Sequence, residues 1–117
     1  MRDELKFSLV VCCCLIADKD WQKIGVWYQH YRWSDSTREI PANLEDATYN
    51  VIYDIEQHNE RVMIYCDSGR NRSALLAANV VKRLLHVSGQ KAIEIVRAGR
   101  PMALKNQFFI NHLRTAP

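Results

Sequence analysis

The sequence predicts an α/β domain with a central, mostly parallel sheet of about four strands flanked by helices. A nearly continuous apolar run at Lys6–Ile16 is typical of a strand buried on both faces, as in parallel sheets. Strand-like and helix-like segments alternate in the first half of the chain, and only helical segments follow. The length of 117 residues, with 48% apolar and 25% charged residues, is typical of a single globular domain.

Two further strands and a helix follow before residue 66. Val26–Tyr31 is short and aromatic, as in a second strand, and Arg61–Tyr65 is a short apolar third strand. Between them, Pro41 opens a helix that runs to about His58, because a proline at the first helical position loses no hydrogen bond. Apolar residues recur at helical spacing through this segment.

Three more helices are predicted in the second half, over residues 73–86, 88–97 and 104–113. Ser88 is a plausible N-cap for the middle one, and Gly99 is its expected stop. Pro101 then breaks the chain before the last helix, which is amphipathic.

The cysteines and the apolar segments limit the class of protein. Three of the four cysteines are consecutive, and the fourth is far from them in the sequence: Cys12, Cys13, Cys14 and Cys66. This arrangement suits neither a disulfide framework nor a zinc site. A reduced, cytoplasmic protein is therefore expected.

The run Phe7–Ala17 is too short to span a bilayer and lacks the flanks of a signal peptide, so no membrane segment or targeting segment is expected.

Charge is divided unequally along the chain. Residues 1–60 carry a net charge of −5 and residues 61–117 a net charge of +8, within a total of +3. This asymmetry suggests that the second half handles an anionic ligand. A solvated basic helical surface would explain it equally well.

The segment from Cys66 to Ser73 carries the chemistry. An apolar strand leads into Cys66, and Arg72 and Ser73 open a helix after five intervening residues. Successive amides of such a turn, together with the helix N-terminus, form a cradle for an anion. Gly69 supplies the backbone freedom of a tight turn, and Arg72 can bind two oxygens of a tetrahedral oxyanion. The residues that would bind substrate are Asp67, Ser68, Gly69, Arg70 and Asn71.

The same environment acts on the thiol of Cys66. A helix N-terminus and an adjacent arginine lower the pKa of a cysteine, so thiolate should be abundant at neutral pH. A nucleophile beside an oxyanion cradle suits attack on phosphorus and a cysteinyl-phosphate intermediate. A lone cysteine at a strand end is more often a small buried hydrophobe, but the joint pattern of strand, Cys-x5-Arg-Ser and helix is much rarer.

This loop resembles that of the cysteine-dependent protein tyrosine phosphatases, in particular the dual-specificity branch. The resemblance rests on residues 62–66, Gly69, Arg72 and Ser73, and extends to the last helix, and it covers about residues 7–115. It implies one catalytic domain over residues 1–117, short at its N-terminus, that needs no metal or organic cofactor. Tyr65 departs from the family, which usually has a histidine before the nucleophile.

The resemblance also assigns the acid, the hydroxyl and a redox partner. It gives the role of general acid and later base to Asp35, which lies 31 residues before Cys66 in a polar loop. It gives Ser73 a hydrogen bond to the nucleophilic sulfur, although simple capping of the helix would also explain a serine there. Some relatives form a reversible disulfide with the nucleophile, and Cys14 stands closest to the position of their second cysteine. The alternative to a redox role is that Cys12–Cys14 are small side chains of the hydrophobic core.

The predicted function is a phosphatase that acts on phosphotyrosine, and by extension on phosphoserine and phosphothreonine, in protein substrates. Phosphoinositides and RNA 5′-phosphates are alternative substrates, because the same loop occurs in relatives that act on them. A non-catalytic phosphate-binding module is a rival from another class, and the basic half alone suggests a nucleic-acid-binding domain, which the loop disfavours. No histidine shows metal-ligand spacing.

Overall fold

A computed structural model describes residues 8–14, 26–34, 39–58, 61–66 and 71–117 of the chain. Within these ranges the elements follow in the order β1 (Leu9–Cys12), β2 (Trp27–His30), α1 (Leu44–His58), β3 (Val62–Tyr65), α2 (Arg72–Leu85), α3 (Gly89–Gly99) and α4 (Gln107–Thr115). The alternating first half and the helical second half are confirmed.

The sheet is parallel and has the strand order β2-β1-β3. The central strand β1 is fully buried, which explains why its sequence is apolar at every position. The prediction of about four strands was wrong, since the described residues form three. The sequence itself offered only three strand-like segments, and the structure adds no pairing segment to them within the described ranges.

Helix α2 is the central helix of the fold. It packs against β3 and against each of the other three helices. Its buried residues include Leu75, Leu76 and Ala78, none of which has measurable exposure to solvent. An element surrounded in this way is held in position along its whole length, so its N-terminus is a fixed point in the molecule.

The helix boundaries agree with the sequence to within two residues except at the starts of α1 and α4. Helix α1 begins at Leu44 rather than at the predicted Pro41, because residues 42 and 43 form a turn in which the amide of Leu44 donates to the carbonyl of Pro41 at 3.0 Å.

Ser88 caps α3 as predicted, since its hydroxyl accepts a hydrogen bond from the amide of Lys91 at 3.1 Å. Helix α4 begins at Gln107 rather than at the predicted residue 104. Its N-cap is Asn106, whose side chain accepts hydrogen bonds from the amides of the second and third following residues.

A polar network joins α1 to α2. Asn79 is buried and donates to Glu45 Oε2 at 2.7 Å and to Thr48 Oγ1 at 2.8 Å. Arg83 donates through Nε to Glu45 Oε1 at 3.1 Å and forms an ion pair with the same oxygen. Burial alone would raise the pKa of Glu45, but hydrogen bonds from Asn79 and Arg83 and the charge of Arg83 outweigh it and hold that pKa below its usual value.

The Glu45→Gln variant is expected to be less stable than wild type at neutral pH. A carboxyl whose pKa is lowered by folding stabilises the fold above its unfolded pKa, and the gain is lost as pH falls through the folded pKa. Glu45 is partly exposed, so the expected loss in free energy of unfolding at pH 7 is only about 0.5–1 kcal/mol. Urea unfolding at pH 7 and at about pH 3 measures this, and the difference should shrink at the lower pH.

Glu94→Gln is the matched control, because Glu94 lies exposed on α3. An equal dependence of stability on pH in the two variants would contradict the role given to the network.

Candidate active site

The nucleophile candidate Cys66 lies directly after β3 and faces the first turn of α2. It is 6% exposed. The amide of Ser73 donates to Cys66 Sγ at 3.4 Å, and the thiol donates to Ser73 Oγ at 3.3 Å. When the sulfur is ionised, the hydroxyl can reverse its role and donate to it. The juxtaposition that the sequence predicted is therefore present, with two donors available to a thiolate.

The guanidinium of Arg72 is buried and anchored. It is 5% exposed, and its Nη1 donates to the carbonyl oxygen of Trp33 at 2.8 Å. This bond joins the start of α2 to the segment after β2. A guanidinium fixed in one orientation keeps its planar donors ready for the oxygens of a tetrahedral anion.

Trp33 connects this site to α1. Its ring is buried, and its Nε1 donates to Asn43 Oδ1 at 2.7 Å, just before α1 begins. The ring of Tyr31 packs beside it, with centroids 5.7 Å apart. Asp35, the predicted acid, lies outside the described residues. It follows Trp33 by two positions in the sequence, and the carbonyl of Trp33 is the group that Arg72 binds.

The described part of the predicted substrate loop is Asn71. Its Oδ1 accepts hydrogen bonds from the amides of Lys105 and Asn106, at 3.0 Å and 2.9 Å. The side-chain carbonyl of Asn71 therefore contacts the connector between α3 and α4. The other predicted substrate-binding residues, Asp67, Ser68, Gly69 and Arg70, lie outside the described residues.

The structure changes which cysteine stands beside Cys66. In the parallel register Cys12 pairs with Tyr65, and the Cys13 amide donates to the Tyr65 carbonyl at 2.7 Å. The next residues, Cys13 and Cys66, are therefore level with each other, and Cys13 rather than Cys14 is the neighbour. Burial raises the pKa of the Cys13 thiol far above its usual range, and the sulfur of Cys66 raises it further.

Tyr65 is directed to the other face of the sheet. Side chains alternate along a strand, so the residue before Cys66 faces away from it and toward the side of Cys12. The ring is half-buried against the core. Where the family usually has a histidine, this chain therefore has a tyrosine whose side chain packs against the core and faces away from Cys66.

Backbone groups are what sequence reasoning missed at this site. The Trp33 carbonyl binds Arg72, and the amides of Lys105 and Asn106 bind Asn71. Every residue has these groups, so no residue pattern could have indicated them.

The described ranges contain no cluster of three or more His, Cys, Asp or Glu residues suited to a metal ion. Among the helices of those ranges, none is both long and apolar enough to cross a membrane.

The side chains that the structure assembles at this site are a thiol with two donors and a buried arginine. They suit nucleophilic attack on the central atom of a tetrahedral oxyanion.

Comparison with known proteins identifies similar chains. The family model described as dual specificity phosphatase, catalytic domain, matches residues 1–116. The crystal structure of human DUSP28 is 24% identical, with a TM-score of 0.82 over 96% of this chain and 78% of that one. A mouse dual specificity phosphatase complexed with zinc tungstate is 22% identical, with a TM-score of 0.84 over 96% of this chain and 70% of that one.

A third structure, PTPMT1 in complex with PI(5)P, is 22% identical, with a TM-score of 0.74 over 91% of this chain and 73% of that one. At these identities the structures show a shared fold. A search of curated protein sequences finds no match to the chain.

Mild peroxide treatment is expected to link Cys66 to Cys13. Peroxide oxidises the Cys66 thiolate to a sulfenic acid, the Cys13 thiol loses its proton as its sulfur attacks, and water leaves as the disulfide forms. Because burial raises the pKa of the Cys13 thiol, the crosslink should form slowly and faster at higher pH. Neighbouring strands lie about 4.8 Å apart, within the range of Cα separations that a disulfide spans. Non-reducing peptide mapping should detect the crosslink, and dithiothreitol should remove it.

Cys13→Ser should abolish this crosslink, and Cys14→Ser should leave it. A crosslink from Cys66 to Cys12 or Cys14, or none at all, would show that the register does not select the partner.

Proposed function

The chain belongs to the dual specificity phosphatase catalytic domain family and is a cysteine-dependent phosphatase, and we propose that it hydrolyses phosphomonoesters through a cysteinyl-phosphate on Cys66. The observation that carries the proposal is the position of Cys66 Sγ, 3.4 Å from the Ser73 amide at the N-terminus of α2. Arg72 is the first residue of that helix and is buried beside it.

In the first proposed step, the Cys66 thiolate attacks phosphorus and the bond from phosphorus to the leaving oxygen breaks. Asp35 donates a proton to that oxygen, so an alcohol or phenol departs. Arg72 and the amides at the start of α2 stabilise the negative charge on the equatorial oxygens. The positive charge and the helix dipole supply the electrostatic activation, so the scheme uses no metal or organic cofactor.

In the second proposed step, Asp35 removes a proton from water, the water oxygen attacks phosphorus, and the sulfur–phosphorus bond breaks. The sulfur leaves as a thiolate, which the hydroxyl and amide of Ser73 stabilise. Inorganic phosphate is released and the enzyme returns to its starting state.

The proposed substrates are phosphotyrosine, and also phosphoserine and phosphothreonine, in proteins. The family match supports this class. A phosphoinositide is a second candidate, supported by the likeness to PTPMT1, whose structure holds PI(5)P. A panel of phosphotyrosine peptides, phosphoserine peptides, phosphoinositides and 5′-triphosphorylated RNA separates these classes by relative kcat/KM. The proposed location is the cytoplasm, on the cysteine pattern alone.

Hydrolysis of a small aryl phosphate tests the nucleophile and the acid together. Cys66→Ser should reduce turnover to background while it retains binding of the oxyanion. Asp35→Asn should lower kcat by about 10²- to 10⁴-fold and remove the basic limb of the pH profile, because the proton donor is lost. Asp46→Asn, on α1, is the matched control and should retain wild-type turnover.

Wild-type turnover no faster than that of Cys66→Ser would overturn the catalytic proposal and favour a non-catalytic phosphate-binding module. Salt-dependent RNA binding without turnover would favour the nucleic-acid-binding alternative.

Ser73→Ala is expected to slow the second step more than the first. Removal of a hydrogen bond to a charged leaving sulfur costs about 1.5–3 kcal/mol, or about 10- to 100-fold in the rate of hydrolysis of the intermediate. Stopped-flow measurements should then show a burst of phenol release followed by a slow steady state. Ser88→Ala, which removes a hydroxyl at the start of α3, should show no such burst. Equal slowing of both phases by Ser73→Ala would contradict the role of its hydroxyl.

A further inference from the structure

The connector between α3 and α4 reaches the start of α2 in an unusual conformation. Ala103 and Leu104 on this connector are completely buried. Leu104 has a φ of 60°, in the left-handed region that leucine adopts only at a cost. Contacts from elsewhere in the fold must therefore hold this part of the backbone in place.

One peptide group of the connector is bound from both sides. Its carbonyl, on Leu104, accepts from Arg97 Nη2 at 2.7 Å, and its N–H, on Lys105, donates to Asn71 Oδ1 at 3.0 Å. Arg97 Nε also donates to the Ala103 carbonyl at 3.2 Å, and the Asn106 amide donates to the same Asn71 oxygen at 2.9 Å. Carbonyls of the connector thus contact Arg97, and its amides contact Asn71.

Asn71 forms these hydrogen bonds instead of the N-cap hydrogen bond that its position favours. It is the N-cap of α2, where asparagine ordinarily accepts a hydrogen bond from an amide of its own helix, and it makes no such side-chain bond. Its carbonyl oxygen instead accepts both connector amides. The side chain is therefore used to fix the residue that directly precedes Arg72.

We propose that Asn71 and Arg97 are positioning residues for the oxyanion cradle, coupled through the peptide group between Leu104 and Lys105. The positive guanidinium of Arg97 polarises that peptide group, which strengthens its N–H as a donor to Asn71. The bond fixes the backbone at Asn71, and Arg72 and the Ser73 amide follow it in the chain. The described end of the cradle, from Asn71 to Ser73, is then in place before the anion arrives, so binding does not incur the cost of ordering that part. This role rests on the proposed phosphatase function of the same site.

The coupling is tested with Asn71→Ala, Arg97→Gln and the double variant. Two measurements are made on each, kcat/KM for an aryl phosphate and the Kd for tungstate, a tetrahedral oxyanion, by calorimetry. We expect each single variant to lose about 10-fold in both quantities, a loss typical of one or two hydrogen bonds that preorganise a site. The double variant should be no worse than the poorer single variant, because both changes break one relay.

Lys91→Gln is the matched control for Arg97→Gln, because Lys91 lies exposed on the same helix and carries the same charge. It should stay within about twofold of wild type in both measurements. The pH dependence of Cys66 alkylation by iodoacetamide is a further readout. It should move to higher pH in Asn71→Ala and Arg97→Gln, which a loss of stability alone would not cause. Arg97→Lys keeps the charge that polarises the peptide group but loses the paired donors, so it should lose less than Arg97→Gln and serves in its place if that variant does not fold. A loss in Arg97→Lys as large as that in Asn71→Ala would contradict the polarisation.

The outcomes separate this inference from the proposed function. Losses that multiply in the double variant, or single variants that match wild type in tungstate affinity, would overturn the coupling while leaving the phosphatase function intact. Tungstate binding without turnover in wild type would overturn the proposed function, and the tungstate affinities of the variants would still decide the coupling. Absence of both in wild type would overturn both.

Discussion

The fold is organised around the contact between the end of β3 and the start of α2. An amide hydrogen bond to Cys66 Sγ at 3.4 Å requires the helix N-terminus to lie against the carboxyl end of the strand. Both elements must therefore be immobile. Strand β3 is held by its parallel pairing with the fully buried β1, and α2 packs against β3 and the three other helices. Because α2 carries Arg72 in its first turn, placing the helix places the cation and the amide dipoles together.

The division of charge along the chain has a structural cause. Several basic side chains of the second half bind groups within the fold. Lys82 donates to the carbonyls of Leu113 and Ala116, at 3.0 Å and 2.7 Å, near the C-terminus of α4, where unsatisfied carbonyls favour a cation. Arg97 binds connector carbonyls, and Arg83 binds Glu45. Three of the ten basic side chains of residues 61–117 therefore stabilise helix ends and connections within the fold.

The elements that could be predicted from sequence are those that local patterns determine. The buried strand β1 and the N-cap at Ser88 follow from periodicity and from a short local pattern, and the hydrogen bond of Ser73 to Cys66 follows from the resemblance to the phosphatase family. The late start of α4 did not follow, because the connector before it is held by Asn71, which accepts its amides from 34 and 35 residues away in the sequence. The placement of Cys13 level with Cys66 needed the strand register, which three consecutive cysteines leave open by one residue in either direction.

The two residues that open α2 are held by segments from opposite parts of the chain. Arg72 binds the carbonyl of Trp33, after β2, and Asn71 accepts amides of Lys105 and Asn106, before α4. An anion cradle needs such support, because its convergent amides and guanidinium repel one another electrostatically until an anion binds. The carbonyl of Trp33 gives the buried guanidinium a partial negative charge to bind in the meantime. Since Trp33 is itself bound to Asn43 and stands two residues before Asp35 in the sequence, the same bonds fix the guanidinium of Arg72 and the segment that leads toward the proposed acid.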